Sequence, residues 1–205
     1  MIDNKALFKI GYGLYVLAVR EGKKDNACIV NVAQQITSDP LQLMLCVNKG
    51  NLTHDMLLRT ARFNLCALSE EATMKPFQHF GMQSGRTVDK FAECTEVLRA
   101  ENGIIYLPKF INSFISGQVN RAIDMKTHTM FIANVMESRV LTDVPSITYA
   151  YYQEHIKPKA TAPAASGKKK WVCEVCGYEY EGDSLPDDFV CPICKHGKSD
   201  FREVV

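Results

Sequence analysis

No apolar run in this chain approaches the ~18 residues that a membrane-crossing helix needs. The opening Met1-Ile2-Asp3-Asn4-Lys5 lacks the charged-then-apolar pattern of a secretory signal. No charge of one sign dominates: 24 Lys and Arg stand against 23 Asp and Glu, a net charge of +1. That excludes a bulk field recruiting nucleic acid or an anionic membrane. There is no internal repeat, and no Gly-x-Gly-x-x-Gly segment of the dinucleotide-binding kind. A secreted disulfide framework is not expected either. Cys28, Cys46, Cys66 and Cys94 stand singly in apolar or mixed surroundings, and buried reduced thiols are the reading for most of them. A reducing compartment, the cytoplasm, is expected.

What is present is an ordinary globular composition. The 205 residues, 46% hydrophobic and 23% charged, allow one full domain and a small one. Residues 157–170 carry five lysines, two prolines and no acid, and have nothing to bury. They read as a flexible linker whose ends sit about 20 Å apart as a coil. Its Lys168-Lys169-Lys170 run reads as a solvated stretch, not a nucleic-acid patch. Residues 1–156 and 171–205 are then the two domains. The second is acidic, with eight acids against three bases. An acidic carrier surface fits a basic docking face on a partner.

The 171–205 segment holds two Cys-x-x-Cys pairs, Cys173 with Cys176 and Cys191 with Cys194, fourteen residues apart. Four thiolates from two such pairs can close a tetrahedron around one ion, zinc or iron. The alternative, two disulfides, does not suit a reducing compartment. Trp171, Tyr178, Tyr180, Phe189 and Phe201 crowd the pairs. So short a module relies on the metal and a few rings for its stability. Gly177 and Gly197 follow the pairs and are expected to take positive φ, aiming backbone N–H groups at sulfur.

In residues 1–156, short apolar or alternating runs predict strands at 14–19, 27–33, 41–47, 63–68, 114–119 and 130–135. Helices are expected at 53–62 and 72–80, with another starting at 149–155. The fold class is therefore mainly β with some helix, a barrel or sandwich. The stretch Asn48-Lys49-Gly50-Asn51-Leu52-Thr53-His54-Asp55 leaves a strand and enters a helix that Asn51 or Thr53 can cap. With Lys49 beside the free N–H groups it makes an anion cradle, although by itself it also reads as an ordinary junction.

Two resemblances add to this. The words Trp171-Val-Cys-x-x-Cys-Gly-Tyr-x-Tyr and Leu185-Pro-Asp-Asp-Phe-Val-Cys-Pro-x-Cys resemble rubredoxin, with a shorter segment between the pairs. That implies one iron ion on Cys173, Cys176, Cys191 and Cys194, with a zinc ribbon as the alternative. In residues 5–156, six words in order resemble the flavin reductase-like family. They are Gly11–Leu17, Asn26–Pro40, Asn48–His54, Phe80–Phe91, Thr127–Val135, and Leu141 with Ile147–Tyr152. Domain, linker and tail together resemble the fusions called high-molecular-weight rubredoxins.

The resemblance implies a Greek-key split β-barrel binding FMN, usually as a homodimer with the flavin near the interface. It implies that Asn26, Asn31, Gln34 and Thr37 face the isoalloxazine or ribityl chain, and that Asn48, Lys49, Asn51 and Thr53 hold the phosphate. Lys90 and His128 would lie beside the flavin or the nicotinamide. Alone, Asn26 reads equally as a turn residue, Lys90 as a solvated lysine and His128 as a structural histidine. The function implied runs from NAD(P)H through FMN to the iron and on to a protein acceptor, in relatives a flavodiiron reductase or another di-iron protein. Two alternatives stand beside it: a flavin or ferric reductase with FMN as terminal catalyst, and a non-catalytic module binding flavin and zinc.

Overall fold

The computed structural model describes residues 6, 9–92, 94, 97–158, 169–174, 178–191 and 197–204. The chain divides into two compact units, Met1–Ile156 and Lys157–Val205. Among the described residues no helix is long and apolar enough to cross a membrane.

In the first unit, strands β1 (Tyr15–Glu21) and β2 (Lys24–Val30) form a hairpin, as do β3 (Ala33–Ser38) and β4 (Leu41–Asn48). Helix α1 (Leu52–Thr60) leads to β5 (Arg62–Leu68). Helix α2 (Met74–Pro76) continues into a wider turn at Phe77–Gly81, and β6 (Leu98–Arg99) pairs with β7 (Ile105–Tyr106). The long strands β8 (Ile111–Met125) and β9 (His128–Val140) follow, then α3 (Tyr149–Tyr151) and a second wide turn, Tyr152–Ile156.

Seven strands form one antiparallel sheet in the order β2-β1-β5-β8-β9-β4-β3. Its two edges are consecutive in sequence, with only Asn31 and Val32 between them. Flat, the edges would lie about 29 Å apart at the usual strand spacing. Three residue steps reach only about 11 Å. The sheet must therefore curl on itself, with its seam between β2 and β3. The β4-to-β5 connection crosses the inserted β8–β9 hairpin, which makes the Greek-key path of a split barrel.

Both faces are buried, so β1 has four buried residues in a row. Leu17, Phe63, Leu65, Leu45 and Phe131 fill one face with Met56 and Leu57, so α1 packs into the barrel interior. Val16, Cys66, Leu68 and Phe114 face the other way, under Phe77, Phe80, Ile147 and Tyr152. Each such fully buried large side chain contributes about 1.5–3 kcal/mol. Gly117 stands opposite Phe63 on the neighbouring strand, and a Cβ there would collide with the ring. Burial pushes the Cys66 thiol up to about 12 and the Cys28 thiol upward as well. Both are therefore inert, while Cys46 and Cys94 are half-buried.

Several boundaries differ from the sequence reading. The expected 27–33 strand breaks at Asn31, and β3 was not expected because Gln34, Gln35, Thr37 and Ser38 give an exposed edge no apolar period. Strands β8 and β9 run far past their apolar cores, joined by a two-residue turn in which Lys126 takes φ 66°. The expected 53–62 helix begins at Leu52 and ends at Thr60, where Ala61 adopts a left-handed conformation and Arg62 starts β5.

Among its described residues the second unit holds a three-stranded sheet ordered β11 (Glu179–Gly182), β10 (Lys169–Cys173), β12 (Phe201–Val204). Lys169 and Lys170 thus belong to a strand, and Lys170 is buried against Glu179 at 2.6 Å. Gly197 has φ −83°, not the expected positive value, while Gly177 lies outside the described residues.

Candidate functional site

Strand β4 ends at Asn48, whose side-chain oxygen accepts the Gly50 N–H at 2.8 Å and folds the chain into α1. Asn51 is the N-cap, but its side chain makes no bond to the helix, and Thr53 lies within the first turn. No cap therefore competes for the first N–H groups of α1. Asn48 pairs across the sheet with His128, and Lys49 N–H bonds Thr127 O at 3.1 Å. Lys49 Nζ meets both Asp124 oxygens at 2.6 and 2.7 Å. That ammonium, with the Lys126 N–H, holds the Asp124 carboxyl below the usual carboxylate range. Asn48, Lys49, Asn51, Thr53 and His128 are thus gathered at one end of the barrel.

Asn26 is in β2, buried, and not in a turn. Its Nδ2 donates to Thr53 Oγ1 at 2.9 Å. Gly85 lies against the same amide, where a Cβ would collide. Lys90 is buried rather than solvated, its Nζ donating to Ala27 O and Phe80 O at 2.8 Å each. Burial lowers its pKa. It adjoins this cluster through Ala27, the residue after Asn26. Asn31 sits half-buried at the seam, and Gln34 and Thr37 are exposed on β3. A cavity of about 210 Å³ lies beneath Gln34, lined also by Tyr15, Leu43 and Val135. A hollow of about 490 Å³ between the Phe77–Gly81 turn and the Leu107–Phe110 loop is larger, but none of the expected site residues lines it.

Residues that sequence reasoning did not single out tie this end together. His54 is buried, with Nδ1 on Asp55 Oδ1 at 2.9 Å and Nε2 on Thr129 Oγ1 at 2.8 Å. Arg86 holds the other Asp55 oxygen at 2.7 Å. The bonds from His54 and Arg86 lower the Asp55 pKa. His54, Arg86 and Thr129 all lay within the quoted words, but a single sequence offers no sign that they meet.

In the small unit, Cys173 and Cys191 are fully buried. Among the described residues they cluster with buried Leu185 and Phe201, with Trp171, Tyr178, Tyr180 and Phe189 packed around. Cys173 N–H bonds Tyr178 O at 2.9 Å. Phe189 lies edge-on to Phe201 at 5.3 Å. Cys176 and Cys194 lie outside the described residues. Buried thiols within an aromatic shell fit a soft metal such as iron. In the large unit, the uncapped helix start with its lysine, amide and hydroxyls fits a phosphate-bearing flavin.

Comparison with known proteins agrees with both readings. Residues 7–160 match the flavin reductase like domain, most of the chain. The chain belongs to the flavin reductase-like family. Residues 171–202 of this flavin reductase-like protein match the rubredoxin-like domain of rubrerythrin. A high molecular weight rubredoxin of Moorella thermoacetica is 33% identical over 231 aligned residues, covering 99% of this chain and 100% of that one. A ferric-chelate reductase (NAD(P)H) of Archaeoglobus fulgidus is 30% identical, covering 79% of this chain and 94% of the relative. An NADH:FAD oxidoreductase of Streptomyces globisporus shares the fold, with TM-score 0.63, 18% identity, and coverage of 72% and 91%. This chain is a flavoprotein-type oxidoreductase carrying a rubredoxin-like domain, whose family features are flavin and iron.

Proposed function

We propose that this chain is an electron-transfer oxidoreductase of the cytoplasm. It takes electrons from NAD(P)H onto FMN in residues 1–156 and passes them to one iron ion on Cys173, Cys176, Cys191 and Cys194. It then delivers them to a separate protein such as a flavodiiron reductase. The observation that carries the reading is the union, in one chain, of a flavin reductase-like barrel and a rubredoxin-like unit with two fully buried thiols among its described residues.

When bound, flavin accepts two electrons with a hydride and yields them singly, while iron in four thiolates carries one at a time. The chain's own residues do the holding. Lys49, Asn48, Asn51, Thr53 and the α1 N–H groups suit one terminal phosphate, which favours FMN over FAD. Asn26, Asn31, Gln34 and Thr37 offer amide and hydroxyl groups to a ring edge and a polyol. Lys90 and His128 are the candidates for the catalytic side, and the buried Lys90 Nζ is held near Asn26 by the Ala27 carbonyl. Exposed Met125, Met136 and Val140 on β8 and β9, 55%, 67% and 77% exposed, support a homodimer. The excess of acids in residues 171–205 suits a basic face on the acceptor.

The second reading, a ferric or flavin reductase with the flavin as terminal catalyst, is favoured by the similarity to the Archaeoglobus fulgidus relative over most of its length. Cofactor analysis of protein expressed with ample iron tests the first. One iron and one FMN per chain are expected. Stoichiometric zinc without iron removes the electron-carrier reading and leaves the barrel as the whole enzyme.

A further inference from the structure

We propose that His54 is a positioning residue for the phosphate end of the flavin site, locked by Thr129 on one side and the Asp55–Arg86 pair on the other. This rests on the reading that the start of α1 takes the flavin phosphate. The problem His54 solves is local. Helix α1 has nine residues, and its N-cap side chain makes no bond to it. A short helix without a cap frays at its first turn. The N–H groups that a phosphate needs would then lack a fixed direction.

Two side chains of that turn anchor it. Thr53 accepts the Asn26 amide hydrogen bond. His54 reaches into the barrel, and its ring is held from three sides. Asp55, on the same helix, is acceptor-only as a carboxylate, so it places the ring proton on Nδ1. On the other side of the ring, Nε2 meets the Thr129 hydroxyl of β9 at 2.8 Å. Phe131, two residues along β9, meets the ring edgewise at 5.9 Å. Arg86, from the segment whose Gly85 lies on Asn26, fixes Asp55 from outside. Other charges near this corner include Asp124 of β8 and Lys49, paired with each other, Arg59 of α1, and Lys24, whose Nζ reaches Gly85 O at 3.5 Å.

The chain Arg86–Asp55–His54–Thr129 therefore joins three parts of the fold through the first turn of α1: the 84–87 turn, the helix and the barrel wall. Its expected signature is selective. A positioning role at the phosphate end affects FMN, which carries the phosphate, and spares riboflavin, which has the same ring and polyol without it. A merely structural role affects both alike.

The test measures FMN and riboflavin dissociation constants of the full chain by quenching of flavin fluorescence. Thr129→Val keeps the shape but removes the hydroxyl, and His54→Phe keeps a ring but removes both nitrogens. Each should raise the FMN dissociation constant about tenfold, some 1.4 kcal/mol, the scale of one buried hydrogen bond. Riboflavin binding should stay put, and Thr129→Ser should restore FMN affinity. Arg86→Ala, at a half-exposed site with little folding risk, should give about a threefold loss for FMN alone. Equal losses for both flavins, or no loss for either, overturn the proposal. Lys49→Ala runs in parallel. If it erases the preference for FMN while the His54, Thr129 and Arg86 variants keep it, this inference fails and the phosphate site stands. If the unaltered chain binds both flavins equally, the phosphate site fails and the inference falls with it.

Discussion

Cys191→Ser is expected to strip the iron from the protein. The thiolate-to-iron absorbance should vanish, the flavin bands should remain, and electron delivery to a protein acceptor should stop. The magnitude follows from how little else holds the small unit. Among the described residues its buried cluster is Cys173, Leu185, Cys191 and Phe201, two of them thiols. A module of some thirty-five residues buries too little apolar surface to offset its own ordering entropy. Metal ligation, about 10–16 kcal/mol in small zinc domains, supplies the difference. A serine oxygen is a harder and weaker donor than a thiolate. Unfolding should therefore accompany metal loss, and limited proteolysis should cut within residues 171–205 while sparing the barrel. Iron content and visible absorbance check the result. Full iron with an unchanged spectrum would show that Cys191 is not a ligand.

Lys49→Ala combined with Thr53→Ala should weaken FMN binding by about a hundredfold, near 2.7 kcal/mol. Thr53 carries much of that effect. Its hydroxyl is the acceptor for Asn26 Nδ2, and both residues are buried, so its loss leaves an amide donor unpaired at about 1–3 kcal/mol. Lys49 contributes less than a free ammonium would. It already faces Asp124, and a phosphate must replace that partner. The exchange is inexpensive because the Asp124 side chain is 75% exposed, where ion pairs are worth about 0–1 kcal/mol. Fluorescence titration with FMN measures the outcome. Unchanged affinity in the double variant would place the phosphate elsewhere.

The parts of this protein that the sequence made legible share one property: their signal is contained in a short stretch. The paired cysteines, the strand–turn–helix at Asn48–Asp55 and the cores of β1, β4 and β5 are local patterns of spacing or hydrophobicity. The parts it hid depend on contacts across the chain. Strand β3 is an exposed edge, so Gln34, Gln35, Thr37 and Ser38 need not alternate with apolar residues. Strands β8 and β9 extend beyond their apolar centres because they pair with each other, not because Asn120, Arg121 or Glu137 favour a buried face. The burial of Lys90 is set by carbonyls of Ala27 and Phe80, the former 63 positions away. The Thr129 hydroxyl meets His54 across 75 positions. In sequence, Lys169 and Lys170 look like part of the linker, because like charges beside prolines suggest solvent. Pairing of Lys170 with Glu181 and Val204, and its ion pair with Glu179, put it in a strand instead.

Anaerobic reduction of the iron by NAD(P)H tests the proposed order of electron flow most directly. The full chain is compared with and without FMN, following the ferric thiolate absorbance after mixing. A four-thiolate iron has no open position and no hydride chemistry, so the barrel must receive the electrons first. Rapid bleaching is expected in the FMN-loaded protein, almost none in the FMN-free protein, and recovery when FMN is restored. Iron reduction in FMN-free protein at the rate of the loaded protein would contradict that order.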